Sequence, residues 1–284
     1  MVTSAGDAGT GTFRDAIDQA NGDSSVTRVK FQNIGTVQLI STVEYTGKQS
    51  LRIDGKGTVI QQDEGNPNPP DYLLASSGGA NLVLKRLTIQ DGANGIVVWV
   101  PADADHDVSV TLVDMTVRDN DLFGLFVADL SQANVGIDLD ISFSSFTGNG
   151  TGELDFAGVW VEESGPGSIV TVVRNSQFDQ NGGDGMKLWE RGVGNVDLTV
   201  RQSTFNDNGL FDKEDLNDGL DIDESDSGDV DAQLTMVEAK GNGKVGIQVE
   251  QGGAGTGLLR LQHVTFGGNG DGPLNASGVN VLMK

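Results

Sequence analysis

The stretch Asn181-Gly182-Gly183-Asp184-Gly185-Met186-Lys187-Leu188-Trp189-Glu190 decides the fold. It opens on a turn asparagine, passes through glycines and ends in a short alternating strand. In that strand Met186 and Leu188 share one face, and Lys187 and Trp189 share the other. The same shape recurs in both directions along the chain. An apolar strand end, two turn residues and an asparagine repeat as Val117…Asn120, Phe146…Asn149, Phe178…Asn181, Phe205…Asn208, Ala239…Asn242 and Phe266…Asn269. A second strand then opens on Gly95, Gly124, Gly158, Gly185, Gly219, Gly246 and Gly278, at intervals of 29, 34, 27, 34, 27 and 32 residues. Coils pair into a longer period, because Gly124 to Gly185, Gly158 to Gly219 and Gly185 to Gly246 are each 61 residues. The length difference lies between asparagine and glycine. That gap is 4 residues at 120–124, 181–185 and 242–246, and 9, 11 and 9 residues at 149–158, 208–219 and 269–278.

Short strands repeating about every thirty residues, with turn asparagines stacked in register, predict a β-solenoid. Each coil sets like residues over like at the strand spacing of ~4.8 Å. The asparagines then form an amide ladder and tolerate the left-handed turn conformation, and the phenylalanines before them stack as an inward column. Upstream, residues 10–21 predict one helix, with Thr12 and Asp15 as a capping pair and Phe13, Ala16, Ile17 and Ala20 on one face. Short β-rich runs follow at 27–31, 36–41, 50–54 and 57–61. The expected organisation is one domain over 1–284: a helix at 10–21, irregular early coils at 27–81 and regular coils at 82–284.

Coils of this length with asparagine turns resemble the right-handed, single-stranded parallel β-helix of the pectate-lyase-like superfamily. The opening Gly9-Thr10-Gly11-Thr12-Phe13-Arg14-Asp15-Ala16-Ile17-Asp18-Gln19-Ala20-Asn21 is similar to the helix that caps the first coil in bacterial exported β-helix proteins. Ser50-Leu51-Arg52-Ile53-Asp54-Gly55 is similar to their early "LTIDG"-type coil. The resemblance implies an all-β fold with a short N-terminal capping helix, and a place outside the cell or on its surface. It leaves activity open, since that fold hosts lyases, hydrolases, epimerases, tailspikes and adhesins. Met1-Val-Thr-Ser lacks the basic and apolar regions of a signal peptide. The regular pattern runs into Val279-Asn-Val-Leu-Met-Lys284 with no cap, so the expectation is either that the sequence is truncated there or that this coil pairs with another chain.

Composition narrows the partners. With 18 basic and 41 acidic residues among 284, the formal charge is −23, which repels nucleic acid and anionic membranes and attracts cations. There is no cysteine, so disulfides and thiol chemistry are excluded. No apolar run reaches the length of a membrane span.

Parity within the second strands separates core from surface. Counting glycine as zero, positions +1 and +3 are apolar and face inward, so +2 and +4 face out. The outward pairs are Val97/Trp99, Phe126/Ala128, Trp160/Glu162, Lys187/Trp189, Asp221/Asp223, Gln248/Glu250 and Asn280/Leu282. All three tryptophans fall on this face, with Phe126 among them. Flat rings beside carboxylates and amides suit sugars, so Trp99, Phe126, Trp160, Trp189 and Glu250 are the expected substrate-binding residues. The alternative is that the loops before Gly158 (150–157) and Gly219 (209–218) fold over this face and the tryptophans pack beneath them. The two loops flank the tight Gly185 coil and predict a notch floored by Trp160, Glu162, Lys187, Trp189, Asp221 and Asp223.

Two carboxylates at suitable spacing serve glycoside hydrolysis, which puts Glu162, Asp221 and Asp223 forward as catalytic candidates. A polysaccharide lyase needs a base and a cation for the uronate, which puts forward Lys187 with Arg191, and Ca²⁺ on Asp221, Asp223 and Glu224. A lysine ringed by carboxylates titrates in the wrong direction for a base. Asn217-Asp218-Gly219-Leu220-Asp221 is similar to the Asn-x-Asp-Gly-x-Asp element of polygalacturonases, but the paired Asp-Asp, Gly-His-Gly and Arg-x-Lys elements are missing, and Asp-Gly after asparagine is also plain turn chemistry. Two functions follow: recognition of a polysaccharide or cell-surface glycan in an aromatic and acidic groove, with cleavage open; or a non-catalytic adhesin or structural passenger.

Overall fold

Val2 is buried and bridges in parallel to Phe31, and Thr12 then caps the first helix. In the computed structural model its side chain accepts a hydrogen bond from the Asp15 N–H at 3.2 Å, while Asp15 Oδ2 accepts from the Gly11 N–H at 2.7 Å. This reciprocal cap starts helix α1 (Phe13–Gly22), whose buried face is Phe13, Ala16, Ile17 and Ala20. Arg14 anchors the helix to the first coils by donating to the Ser41 and Thr42 carbonyls at 2.6 Å each. The structure describes residues 1–131, 133–152 and 156–284.

Behind the helix the chain is a parallel β-solenoid. A front sheet of nine strands runs in order from Val43–Tyr45 to Gly272–Ser277, each strand pairing in parallel with its equivalent in the coils before and after. A back sheet, fourteen-stranded among the described residues, closes the other side. Between them lies one continuous apolar core, in which every +1 and +3 residue from Ile96 to Val249 is at most 1% exposed. Within it Phe146, Phe178 and Phe205 stack at 5.3 and 5.0 Å with planes 3° and 9° apart. Full burial of each such ring contributes roughly 2–3 kcal/mol.

The asparagine ladder runs from Asn120 to Asn269. Each Nδ2 donates to the next Oδ1, at 2.8 Å for Asn120 to Asn149 and 3.0 Å for Asn181 to Asn208. The left-handed residue at this corner is the one before each asparagine. It is Asp119 at φ 55°, Gln180 at φ 59°, Asp207 at φ 56°, and glycine at positions 148, 241 and 268. The expectation that the asparagines themselves take that conformation is therefore corrected. Their amides turn inward to make the ladder, and the strained position falls one residue earlier.

A second correction concerns the final coil. Ile247 pairs with Leu274 and Glu250 with Ser277, so the front-sheet strand is Gly272–Ser277, and its outward residues are Asn275 and Ser277. Val279–Met283 belongs to the back sheet, where it pairs with Gly257–Gln262. Asn280 and Leu282 are thus not on the aromatic face. The gap after Asn269 is the short one of 4 residues, ending at Pro273 rather than Gly278. Glycine misled because Gly278, at φ 70°, marks a bend between two strands and not the start of a front strand.

Among the described residues, no helix is long and apolar enough to cross a membrane.

Candidate functional site

The site is built from register. Parallel pairing sets Val97 beside Phe126, Phe126 beside Trp160, Trp160 beside Lys187, and Lys187 beside Asp221. Ala128, Glu162, Trp189, Asp223 and Glu250 form the neighbouring row, beginning at Trp99. The aromatic residues touch: Trp99 meets Phe126 edge-on at 5.3 Å, Phe126 meets Trp160 at 6.4 Å, and Trp160 meets Trp189 at 6.1 Å. Phe123 fills the middle, stacked on Phe126 at 4.8 Å and edge-on to Trp160 at 5.5 Å. All three tryptophans are half-buried.

The loops wall this row, and both outcomes foreseen for it occur in part. Phe156 from the first loop packs on Phe123 at 4.5 Å, so that loop does fold onto the face. Residues 153–155 of the same loop lie outside the described residues. Between the loops stays an open cleft of ≈ 290 Å³ lined by Phe156, Ala157, Trp160, Asp184, Lys187, Asp215 and Asn217. Of the six floor residues expected, the cleft contains Trp160 and Lys187. Asp221 lies under Lys187, 4% exposed. Glu162 is buried and ion-paired to Arg191 at 2.7 Å, and that guanidinium also covers the Trp189 ring at 4.6 Å. Asp223 accepts from Ser225 Oγ at 3.3 Å and neighbours Glu250, while Trp189 Nε1 donates to Ser225 Oγ at 3.2 Å.

The strongest electrostatic feature combines one expected residue with two that the sequence reading left as turn chemistry. Asp184, Asp218 and Asp221 are all buried and offer carboxylate oxygens within 4.8 Å of one another. Asp184 Oδ1 accepts from the Asp218 N–H at 2.7 Å, and Asp218 Oδ1 accepts from the Val245 N–H at 2.7 Å. Lys187 is ion-paired with Asp221, and its ammonium lies 5.5 and 5.8 Å from the Trp160 and Trp189 ring centres. Burial, then the negative charge of Asp221, pushes the Asp184 carboxyl well above the ordinary range. Burial pushes Asp218 up to about 6. Asp223 is also raised, by burial and then by Asp221. For Lys187, burial alone would lower the pKa, but the charges of Asp221 and Asp184 outweigh it and the net shift is upward. Lys187 is therefore a fixed positive charge at neutral pH and not a proton acceptor.

The sequence did carry a signal for this trio. Aspartate immediately precedes the strand glycine at Asp184 and Asp218, on two adjacent coils, where the other coils carry Asn94, Phe123, Ala157 and Val245.

The expected Ca²⁺ set of Asp221, Asp223 and Glu224 is not brought together. Glu224 sits at +5, turns inward and is 0% exposed, with its oxygens held by the Asp226 and Gly228 N–H groups and by Gln251. It belongs to a second feature missed in the sequence: Asp129, Glu163, Glu190, Glu224 and Gln251 stack in register as an inward polar ladder. One oxygen each of Asp129, Glu163 and Glu190 is buried without a hydrogen-bond donor among the described residues. Burial, then the facing Glu163, pushes Glu190 up to about 8. A proton shared between Glu163 and Glu190 satisfies the facing oxygens. The trio Asp184, Asp218 and Asp221 offers one oxygen ligand each within 4.8 Å of the others, with the Lys187 ammonium ion-paired to Asp221.

No family model and no curated protein sequence matches the chain. Among solved structures, the chain is similar to a Geobacillus virus E2 protein, ORF18, at 14% identity and a TM-score of 0.56, over 99% of this chain and 59% of that one. It thus spans under two thirds of that protein's length. Weaker likenesses are to the A-module of a mannuronan C-5 epimerase from Azotobacter vinelandii and to the catalytic domain of an α-1,3-glucanase in complex with nigerose. The first has 13% identity and a TM-score of 0.42, over 96% of this chain and 94% of that one. The second has 9% identity and a TM-score of 0.35, over 97% and 67%. At these identities the likeness is one of fold, and the fold shared with the viral protein is the β-solenoid described above.

Proposed function

We propose that this chain is a polysaccharide-recognising β-solenoid of the pectate-lyase-like kind, acting outside the cell or on its surface, with a sugar chain lying along the front sheet from Trp99 to the cleft at Lys187. One observation carries the reading: a continuous row of half-buried aromatic side chains ends at a cleft holding buried carboxyls and a fixed cation. Rings offer flat apolar faces to sugar C–H groups, and the acid cluster offers acceptors to hydroxyls. Both properties are needed, because rings alone bind without orientation and carboxylates alone prefer water.

Cleavage of the bound glycan is the second reading, and it rests on the trio. Asp184, whose carboxyl is pushed up by burial, suits proton donation to a glycosidic oxygen, and Asp221 beside it supplies negative charge beneath the cleft floor. One oxygen of each lies within 4.8 Å of the other, which is on the side of the ~5 Å spacing of retaining enzymes and not of the ~6.5–9.5 Å of inverting ones. A lyase reaction with Lys187 as base loses support, since that lysine holds its proton. A panel of soluble polysaccharides, scored for gel retardation, new reducing ends and unsaturated products, separates the readings. Retardation without products leaves recognition alone; reducing ends lost in Asp184→Asn show hydrolysis; absence of retardation on every polymer contradicts the proposal.

A further inference from the structure

A basic face on the first coils stands apart from the aromatic groove and from the overall charge. Among the described residues, ten of the 18 Lys and Arg side chains are ion-paired. Of the other eight, four lie together, Arg28, Lys30, Arg52 and Lys85, on the outer side of the back sheet's first strands, and Lys56 follows in the bulge after Asp54. Register fixes the grid. Arg28 is directly beside Arg52, and Lys30, Asp54 and Lys85 form the adjacent row. Neighbours across coils are ~4.8 Å apart and neighbours along a strand ~6.5–7 Å apart. Like charges set side by side in a sheet are destabilising unless something neutralises them.

The chain supplies that neutralisation only in part, through the pull of Asp54 on Arg52. Asp54, the one carboxylate inside the grid, is buried and taken by Arg86, which holds both of its oxygens at 2.7 Å. The Nε of Arg52 is buried with no hydrogen-bond partner among the described residues. With 41 acidic residues available, four cations without an ion pair on one face, and Lys56 at its edge, leave a place open to negative charge from outside. Beside the grid, a depression of ≈ 510 Å³ lined by Lys56, Arg86, Thr88, Asp114 and Thr116 continues the polar surface.

We propose that this face is a second glycan site, which binds a linear anionic polysaccharide through its carboxylate or sulfate groups, independently of the aromatic groove. The face is flat, and Val83 is the one apolar side chain between the charges, so it lacks the aromatic or aliphatic anchors that a protein partner needs. It also lacks any ring on which bases of a single-stranded nucleic acid would stack. A repeating row of guanidinium and ammonium groups matches a polymer with an anion on every unit.

The test uses the intact chain with polygalacturonate, dextran sulfate and neutral dextran, read by affinity electrophoresis at low and physiological ionic strength. The expected result is retardation by one or both anionic polymers and not by dextran, weakening as salt rises. Which polymer retards assigns the anion as carboxylate or sulfate. Arg28→Glu with Arg52→Glu is expected to raise the half-retarding concentration about tenfold or more. Lys30→Gln with Lys85→Gln, a milder pair, gives a smaller shift in the same direction, and circular dichroism checks that both pairs fold. Trp160→Ala with Trp189→Ala leaves the retardation unchanged. Retardation that survives both basic-face pairs, or none by either anionic polymer at low salt, overturns the proposal. Tighter binding of duplex DNA or poly-glutamate than of either polysaccharide overturns it in favour of those partners.

Discussion

At Lys187 one side chain has two tasks. Its ammonium neutralises Asp221 and Asp184 and also approaches two indole rings, so it joins the acidic half of the cleft to the aromatic half. Lys187→Met is expected to cost about 3 kcal/mol in urea unfolding, because it strands buried carboxylates rather than merely deleting a contact. Pairing it with Asp221→Asn recovers part of that loss, which a double-mutant cycle measures directly. Asp218 gives a pH signature of its own. Its folded pKa of about 6 lies above its unfolded value, so its contribution to stability is full at pH below the ordinary aspartate value of 3.8 and fades as pH rises through about 6. Asp218→Asn removes that part of the pH dependence, as thermal melts across the range show.

At the scale of the element, two ladders hold the coils in register, and they differ in how legible they were. The asparagine ladder follows from residue type and spacing, because asparagine at a fixed offset after each strand end has few other uses. Asn208→Ala interrupts it between Asn181 and Asn242 and leaves buried amide groups without partners, for an expected loss of about 2–3 kcal/mol in chemical denaturation. The carboxyl ladder was hidden, because acidic residues at the ends of strands read as surface. The signal was parity: +5 is inward like +1 and +3, and Asp129, Glu163, Glu190 and Glu224 occupy it in four successive coils. Glu190, raised to about 8 by burial and by Glu163, contributes stability that is full below the ordinary glutamate value of 4.5 and is lost as pH rises to about 8. The melting temperature is expected to fall across that window, and Glu190→Gln to flatten the fall. The last coil misled for a different reason. A bend glycine and a strand-opening glycine are the same letter, and the backbone pairing of Leu274 with Ile247 alone tells them apart.

Across the whole molecule, charge is unevenly placed. The chain carries −23 overall, with an acidic cleft on one sheet and unpaired cations on the first coils of the other. Self-repulsion of that size opposes folding, so the melting temperature is expected to rise from low to physiological ionic strength, while binding at the basic face falls. Those opposite responses separate a property of the fold from a property of a site. The architecture was readable in the sequence because a solenoid repeats its instructions in every coil. The groove was readable only as far as parity reaches: it placed the tryptophans on one face, but not the loop closure that covers Glu162 with Arg191 or brings Asp184 and Asp218 over Asp221.

The central claim, a sugar chain laid along Trp99, Phe126, Trp160 and Trp189, is tested most directly by retention on polysaccharide gels of the intact chain against Trp160→Ala with Trp189→Ala. The expected result is retardation of the parent chain by at least one polymer and a loss of about tenfold or more in apparent affinity for the double variant, with its fold and its anionic-polymer binding unchanged. Equal retention of the two proteins on every polymer would contradict it.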